Sequence, residues 1–129
     1  MAAPVTAIYA AFFAVFIMAL AFRVVSMRFR KRVGLGAGGH ADLRRAIRVH
    51  GNAVEVVPVI LLLMLLLELN GAPAALLHGA GGATVAARLL HAHGLARRTG
   101  HSFGRFYGTL ASWIIMGALA TANLWAVTR

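Results

Sequence analysis

Arg45, Arg48, Asn52 and Glu55 follow one another at intervals of three, four and three residues, which on a helix places them in one polar stripe. The same helix continues into residues 56–67, an almost purely aliphatic run, so the stripe enters a membrane segment rather than lying on a soluble surface. At roughly 1.5 Å per residue, Glu55 lies roughly 15 Å inside the helix, near mid-membrane, where an unpaired carboxylate is expensive. Arg88, about 12 Å from the cytoplasmic end of the next helix, reaches a comparable depth, and an Arg88–Glu55 pair is expected. His91 sits one turn nearer that surface. Arg45, Arg48, Arg88 and Arg105 outnumber the single intramembrane acid. Surplus guanidinium groups around a polar stripe predict an anionic ligand entering from the cytoplasmic side.

The elements that must position these groups are membrane helices. Of 129 residues 60% are hydrophobic and 12% charged, too apolar for a small soluble domain. Residues 1–22 carry no charge, and Pro4 suits a first helical turn. This segment lacks a cationic start and is too long for a signal peptide, so it is expected to be retained. Asp42 reads as an N-cap for the second helix, and Asn70-Gly71-Ala72-Pro73 as its stop. The third segment is diluted by Gly79, Gly81 and Gly82, small residues of the kind found where membrane helices pack closely. Residues 106–128 carry no charge, with Trp113 and Trp125 suited to interface anchoring. The reading is therefore one all-α membrane domain over residues 1–129, an integral four-helix bundle with helices at about 4–26, 43–69, 73–96 and 103–127. Basic residues crowd the first and third loops and are absent from the second. Positive-inside bias then makes those two loops cytoplasmic and both termini periplasmic, in a bacterial inner membrane.

The net charge of +10 is accounted for by this bias, with anionic headgroup contact, and needs no nucleic acid. Absence of cysteine excludes a disulfide scaffold, a cysteine-ligated metal and a cysteine nucleophile. Residues 34–39 match G-x-G-x-x-G formally, but no strand precedes them, and the phosphate fingerprint requires one. His91 and His93 are two apart, which on a helix points them to nearly opposite sides, so no metal site is expected. A small multidrug transporter would want its proton-carrying acid in the first span, which has none.

Arg48-x-His50-x-Asn52-x-x-Glu55-x-x-Pro58, Ala87-Arg88-Leu89-Leu90-His91-x-x-Gly94 and Arg105-x-x-Gly108 together resemble the helix signatures of the MAPEG family, the membrane-associated proteins of eicosanoid and glutathione metabolism, in particular its small bacterial members. The resemblance spans nearly the whole chain. It implies a homotrimer of four-helix subunits that holds glutathione between neighbouring subunits near the cytoplasmic face. By the family pattern Arg48, Asn52 and Glu55 would bind glutathione, with Arg88 and His91 beside them and Arg28 reaching over from the next subunit. Arg105 at the start of the fourth helix would stabilise the thiolate, with Arg98 as competitor for that role. Where mammalian members carry tyrosines on the third helix, this chain has His91 and Leu95. The implied activity is a glutathione transferase or peroxidase acting on a lipophilic small molecule or lipid. A non-catalytic protein of the same fold, with an anion or lipid pocket, is the alternative.

Overall fold

The structure is a computed structural model that describes residues 2–97 and 103–128. It contains four helices in chain order: α1 Pro4–Lys31, α2 Ala41–Leu69, α3 Ala74–Arg97 and α4 Phe103–Val127. Three of them, α1, α2 and α4, are long and apolar enough to cross a membrane. The third is long enough, but His78, Arg88 and His91 interrupt its apolar run. Sheet is absent among the described residues, as expected where every backbone N–H must be satisfied within its own segment. Among the described residues α2 touches all three other helices, whereas α1 and α4 make no contact, so α2 and α3 form the middle of the bundle.

Boundaries differ from the sequence reading where charge was read as a stop. Pro4 opens α1 as anticipated, but the helix continues through Arg28, Arg30 and Lys31 instead of ending near residue 26. A basic last turn complements the negative end of the helix dipole, so these cations extend the helix into the interface. Arg32 closes it in a left-handed conformation, φ 55°. α2 likewise begins earlier, at Ala41 after His40, so Asp42 lies in the first turn and is not the N-cap. There it forms a 2.9 Å ion pair with Lys31, clipping the ends of α1 and α2 across their loop. At the opposite end, both carboxylate oxygens of Glu68 accept from the first turn of α1, Val5 N–H at 2.8 Å and Thr6 N–H at 2.7 Å. A carboxylate at a helix N-terminus satisfies otherwise orphaned donors.

Two apolar clusters bracket a polar layer. Val56, Ile60, Met64 and Leu67 of α2 pack with Val5, Leu77 and Leu119 toward the α2–α3 turn, and Met27, Leu43 and Ala46 pack at the other end. Between them α3 and α4 meet more extensively than any other pair. Glycine permits this approach: a Cβ at Gly104 would lie 2.8 Å from the Leu90 carbonyl oxygen, and one at Gly108 2.7 Å from that of Ala87 and 2.8 Å from His91 Cβ. Small residues one turn apart bring membrane helices into backbone contact. Gly108→Ala should therefore cost about 1–3 kcal/mol, the usual range for overpacking. Gly117→Ala, where nothing lies within 4 Å, should be neutral or stabilising by up to about 1 kcal/mol. Unfolding in detergent checks the contrast, and equal effects at the two glycines would contradict close α3–α4 packing.

Candidate functional site

In the polar layer Arg48 and Asn52 from α2, His91 from α3, and Arg105 and Thr109 from α4 line a cleft of about 290 Å³. Helical phase explains the convergence. On α2 the buried positions Ala53, Val56, Val57, Ile60 and Met64 define the inner face. Glu55, Leu62 and Leu66 fall nearly opposite it, Asn52 lies at the flank toward α3, and Arg48, between Glu55 and Asn52 in phase, reaches the cleft from the edge of that flank. On α4, Arg105 and Thr109 are one turn apart and share a face. The Gly104 and Gly108 contacts draw that part of α4 against His91.

Behind the cleft Arg88 is 2% exposed. Its Nη1 donates to Asn52 Oδ1 at 2.7 Å, and its Nη2 is buried with no partner among the described residues. The expected Arg88–Glu55 pair is not formed within the subunit: Glu55 is exposed, and no carboxylate lies within 4 Å of Arg88 among the described residues. Depth along the two helices explains the absence of the pair. With α2 beginning at Ala41, Glu55 lies roughly 21 Å along it, whereas Arg88 lies only about 14 Å from the end of α3. Asn52 is one turn shallower than Glu55 and on the flank that faces α3, so it takes the guanidinium.

His91 is also buried. Its Nδ1 lies 3.1 Å from Thr109 Oγ1, and the Thr109 hydroxyl donates to the Arg105 carbonyl at 2.9 Å. A hydroxyl carries one hydrogen, so this arrangement assigns the Nδ1–H tautomer, with His91 donating to Thr109. Nε2 is then a lone-pair acceptor, buried and unpartnered among the described residues. An unpartnered donor on Arg88 and acceptor on His91, one turn apart beside a cleft lined by two further arginines, fit a ligand carrying both carboxylate and donor groups.

The cleft thus gathers Arg48, Asn52, His91 and Arg105 of the anticipated residues, with Arg88 behind them, held through Asn52. Glu55 lies on the open flank, two turns along α2 from Arg48. Arg28 is elsewhere: it donates to the Gly34 carbonyl at 3.2 Å and lines a separate hollow at the end of α1. Arg98 lies outside the described residues. Thr109 escaped the sequence reading.

The MAPEG family profile matches residues 6–125. This chain belongs to the MAPEG family. Inner membrane protein YecN of Escherichia coli strain K12 is 40% identical over 121 residues, covering 94% of this chain and 91% of the relative. The protein of the same name from Escherichia coli O6:H1, strain CFT073, matches to the same extent. The four helices are accordingly a MAPEG membrane bundle, and the cleft between α2, α3 and α4 is a feature of this member's own geometry.

Proposed function

We propose that this MAPEG member is a glutathione-dependent transferase or peroxidase acting on lipophilic electrophiles, embedded as a homotrimer in the bacterial inner membrane. The observation that carries the reading is the cleft that unites Arg48, Asn52, His91 and Arg105 from three helices over a buried arginine. Glutathione presents two carboxylates, two peptide groups, an ammonium and a thiol. Arg48 suits a carboxylate bidentately, and Asn52 serves a peptide group. Glu55, on the open flank, supplies the acceptor for the ammonium. Arg105 provides positive charge beside the sulfur. A cation favours the thiolate of a thiol whose ordinary pKa is about 8.5. The released proton passes to water at the cytoplasmic surface. The thiolate sulfur then forms a bond to the electrophilic carbon as the leaving group departs with its electron pair; with a hydroperoxide, two thiols give a disulfide, an alcohol and water.

Trimerisation is supported by the outer face of α2. Glu55 points away from the subunit's own core, along with exposed Leu62 and Leu66. A carboxylate at that depth facing hydrocarbon is costly, and a neighbouring subunit that covers it removes the cost. In such an assembly Arg28 of one subunit reaches the glutathione of the next. The name of the Escherichia coli relative and the basic first and third loops support an inner-membrane location with periplasmic termini. A reporter fused at Arg129 should be periplasmic and one inserted near Gly36 cytoplasmic. The reverse pattern would overturn the orientation.

Calorimetry tests the binding claim. Arg48→Ala should weaken glutathione binding by at least about 1.5 kcal/mol, the lower range for a hydrogen bond to a charge. An unchanged dissociation constant would remove Arg48 from the site.

A further inference from the structure

Thiolate stabilisation by Arg105 gives His91 and Thr109 no task, yet the two are joined. Nδ1 of His91 lies 3.1 Å from Thr109 Oγ1, and that hydroxyl donates at 2.9 Å to the Arg105 carbonyl one turn back on α4. Other hydroxyls on these helices take the same direction: Thr84 donates to the Ala80 carbonyl, Ser112 to that of Gly108 and Thr121 to that of Gly117. With its hydrogen so committed, Thr109 can only accept from His91, which puts the ring proton on Nδ1 and a lone pair on Nε2. The charges around the ring agree. Arg48 and Arg105 line the same cleft as His91, and Arg88 stands one turn before it on α3. A lone pair among guanidinium groups is favoured over an N–H among them. The ring is also held in place, since His91 is 5% exposed and a Cβ at Gly108 would lie 2.8 Å from its own Cβ. Nε2 is buried without a partner among the described residues, and a buried acceptor left unpaired is costly.

We infer that Thr109 is a positioning residue: by holding His91 in the Nδ1–H form it makes Nε2 the acceptor for the cysteinyl amide N–H of glutathione, and so sets the thiol against Arg105. The inference rests on the glutathione reading and names one contact within it. Four donor groups of the tripeptide compete for the lone pair. The ammonium is repelled by the arginines around the cleft and has Glu55. The thiol is excluded, because a lone pair aimed at the sulfur opposes its ionisation. The glycyl N–H belongs to the residue after the one that carries the sulfur. The cysteinyl N–H is on the sulfur's own residue, and the Thr109 hydroxyl ties His91 to Arg105, the residue that faces that sulfur.

The test is equilibrium binding to the detergent-purified full chain of glutathione and two analogues, one with an ester oxygen in place of the cysteinyl amide nitrogen and one with that change at the glycyl amide. The cysteinyl ester should bind about tenfold more weakly than glutathione, as loss of a donor to a buried acceptor implies, and the glycyl ester within about twofold. This comparison is made on the wild-type chain and needs no variant to fold. Thr109→Val keeps the shape without the hydroxyl and should bring glutathione and the cysteinyl ester within about twofold of each other, whereas Thr109→Ser should restore the preference. A merely structural role for Thr109 would weaken both ligands alike and leave their ratio unchanged. Nitrogen NMR of the His91 ring, assigned by difference from His91→Phe, should show the Nδ1–H form in the wild type. Equal binding of glutathione and the cysteinyl ester, a larger loss with the glycyl ester, an unchanged ratio in Thr109→Val or an Nε2–H ring in the wild type would each overturn the inference while leaving the glutathione reading in place. A wild-type protein that binds no glutathione would overturn both.

Discussion

Asn52→Leu should destabilise the protein by about 3 kcal/mol, where the cost of losing a hydrogen bond to a charge meets that of unpairing a buried ion. The reason is local. Arg88 is 2% exposed, and the Asn52 carbonyl oxygen at 2.7 Å is the partner of its Nη1. Leucine at position 52 would leave both terminal nitrogens of that guanidinium buried without an acceptor, since Nη2 already has none among the described residues. Arg88→Met alone should cost about 1–3 kcal/mol, by orphaning the Asn52 amide. The double variant should lose less than the sum of the two, with a coupling of about 1–3 kcal/mol in unfolding experiments in detergent. Additive losses would show that the contact contributes nothing as a pair. Glu55→Leu combined with Arg88→Met should be additive, because the two side chains are not paired within the subunit.

Arg105→Ala should lower turnover of a model aromatic electrophile by at least about tenfold, roughly 1.4 kcal/mol of barrier, while changing glutathione affinity little. Arg105 lines the cleft at the first turn of α4, in the shallow layer occupied by Arg48. A cation there reaches a bound thiol without the cost of midplane burial. Its contribution lies in favouring the thiolate before attack, so its loss should appear in the chemical step more than in binding. A fall in affinity with unchanged turnover would make Arg105 a binding residue. Full turnover in Arg105→Ala, with activity lost in Arg98→Ala, would transfer the role to Arg98.

The architecture was legible because its signals are long. Uncharged runs of about 20 residues can be solvated only by hydrocarbon, and a Pro at a helix start or an Asn-Gly stop marks where each such run begins or ends. The site was legible where helical phase alone decides: Arg48 and Asn52 share a flank of α2, and the cleft gathers both. What depended on absolute position along a helix went astray. Counted from Ala41, Glu55 lies roughly 21 Å along α2 and Asn52 about 17 Å, against about 14 Å for Arg88 from the end of α3, so Asn52 is the level partner. One feature lacked a sequence signature of chemistry. Thr109 sits among apolar residues as a small helix-packing side chain does, and only the contact of α4 with His91 shows its hydroxyl to be a link in a chain.

The central claim is that the cleft between α2, α3 and α4 holds glutathione and ionises its thiol. The ultraviolet difference spectrum of the detergent-purified wild-type protein on addition of glutathione at neutral pH tests it directly. Binding should be accompanied by a thiolate band that saturates with glutathione, approaches one thiolate per occupied site and is diminished in Arg105→Ala. A wild-type protein that shows no thiolate band at saturating glutathione, or takes up no glutathione at all, would contradict the claim.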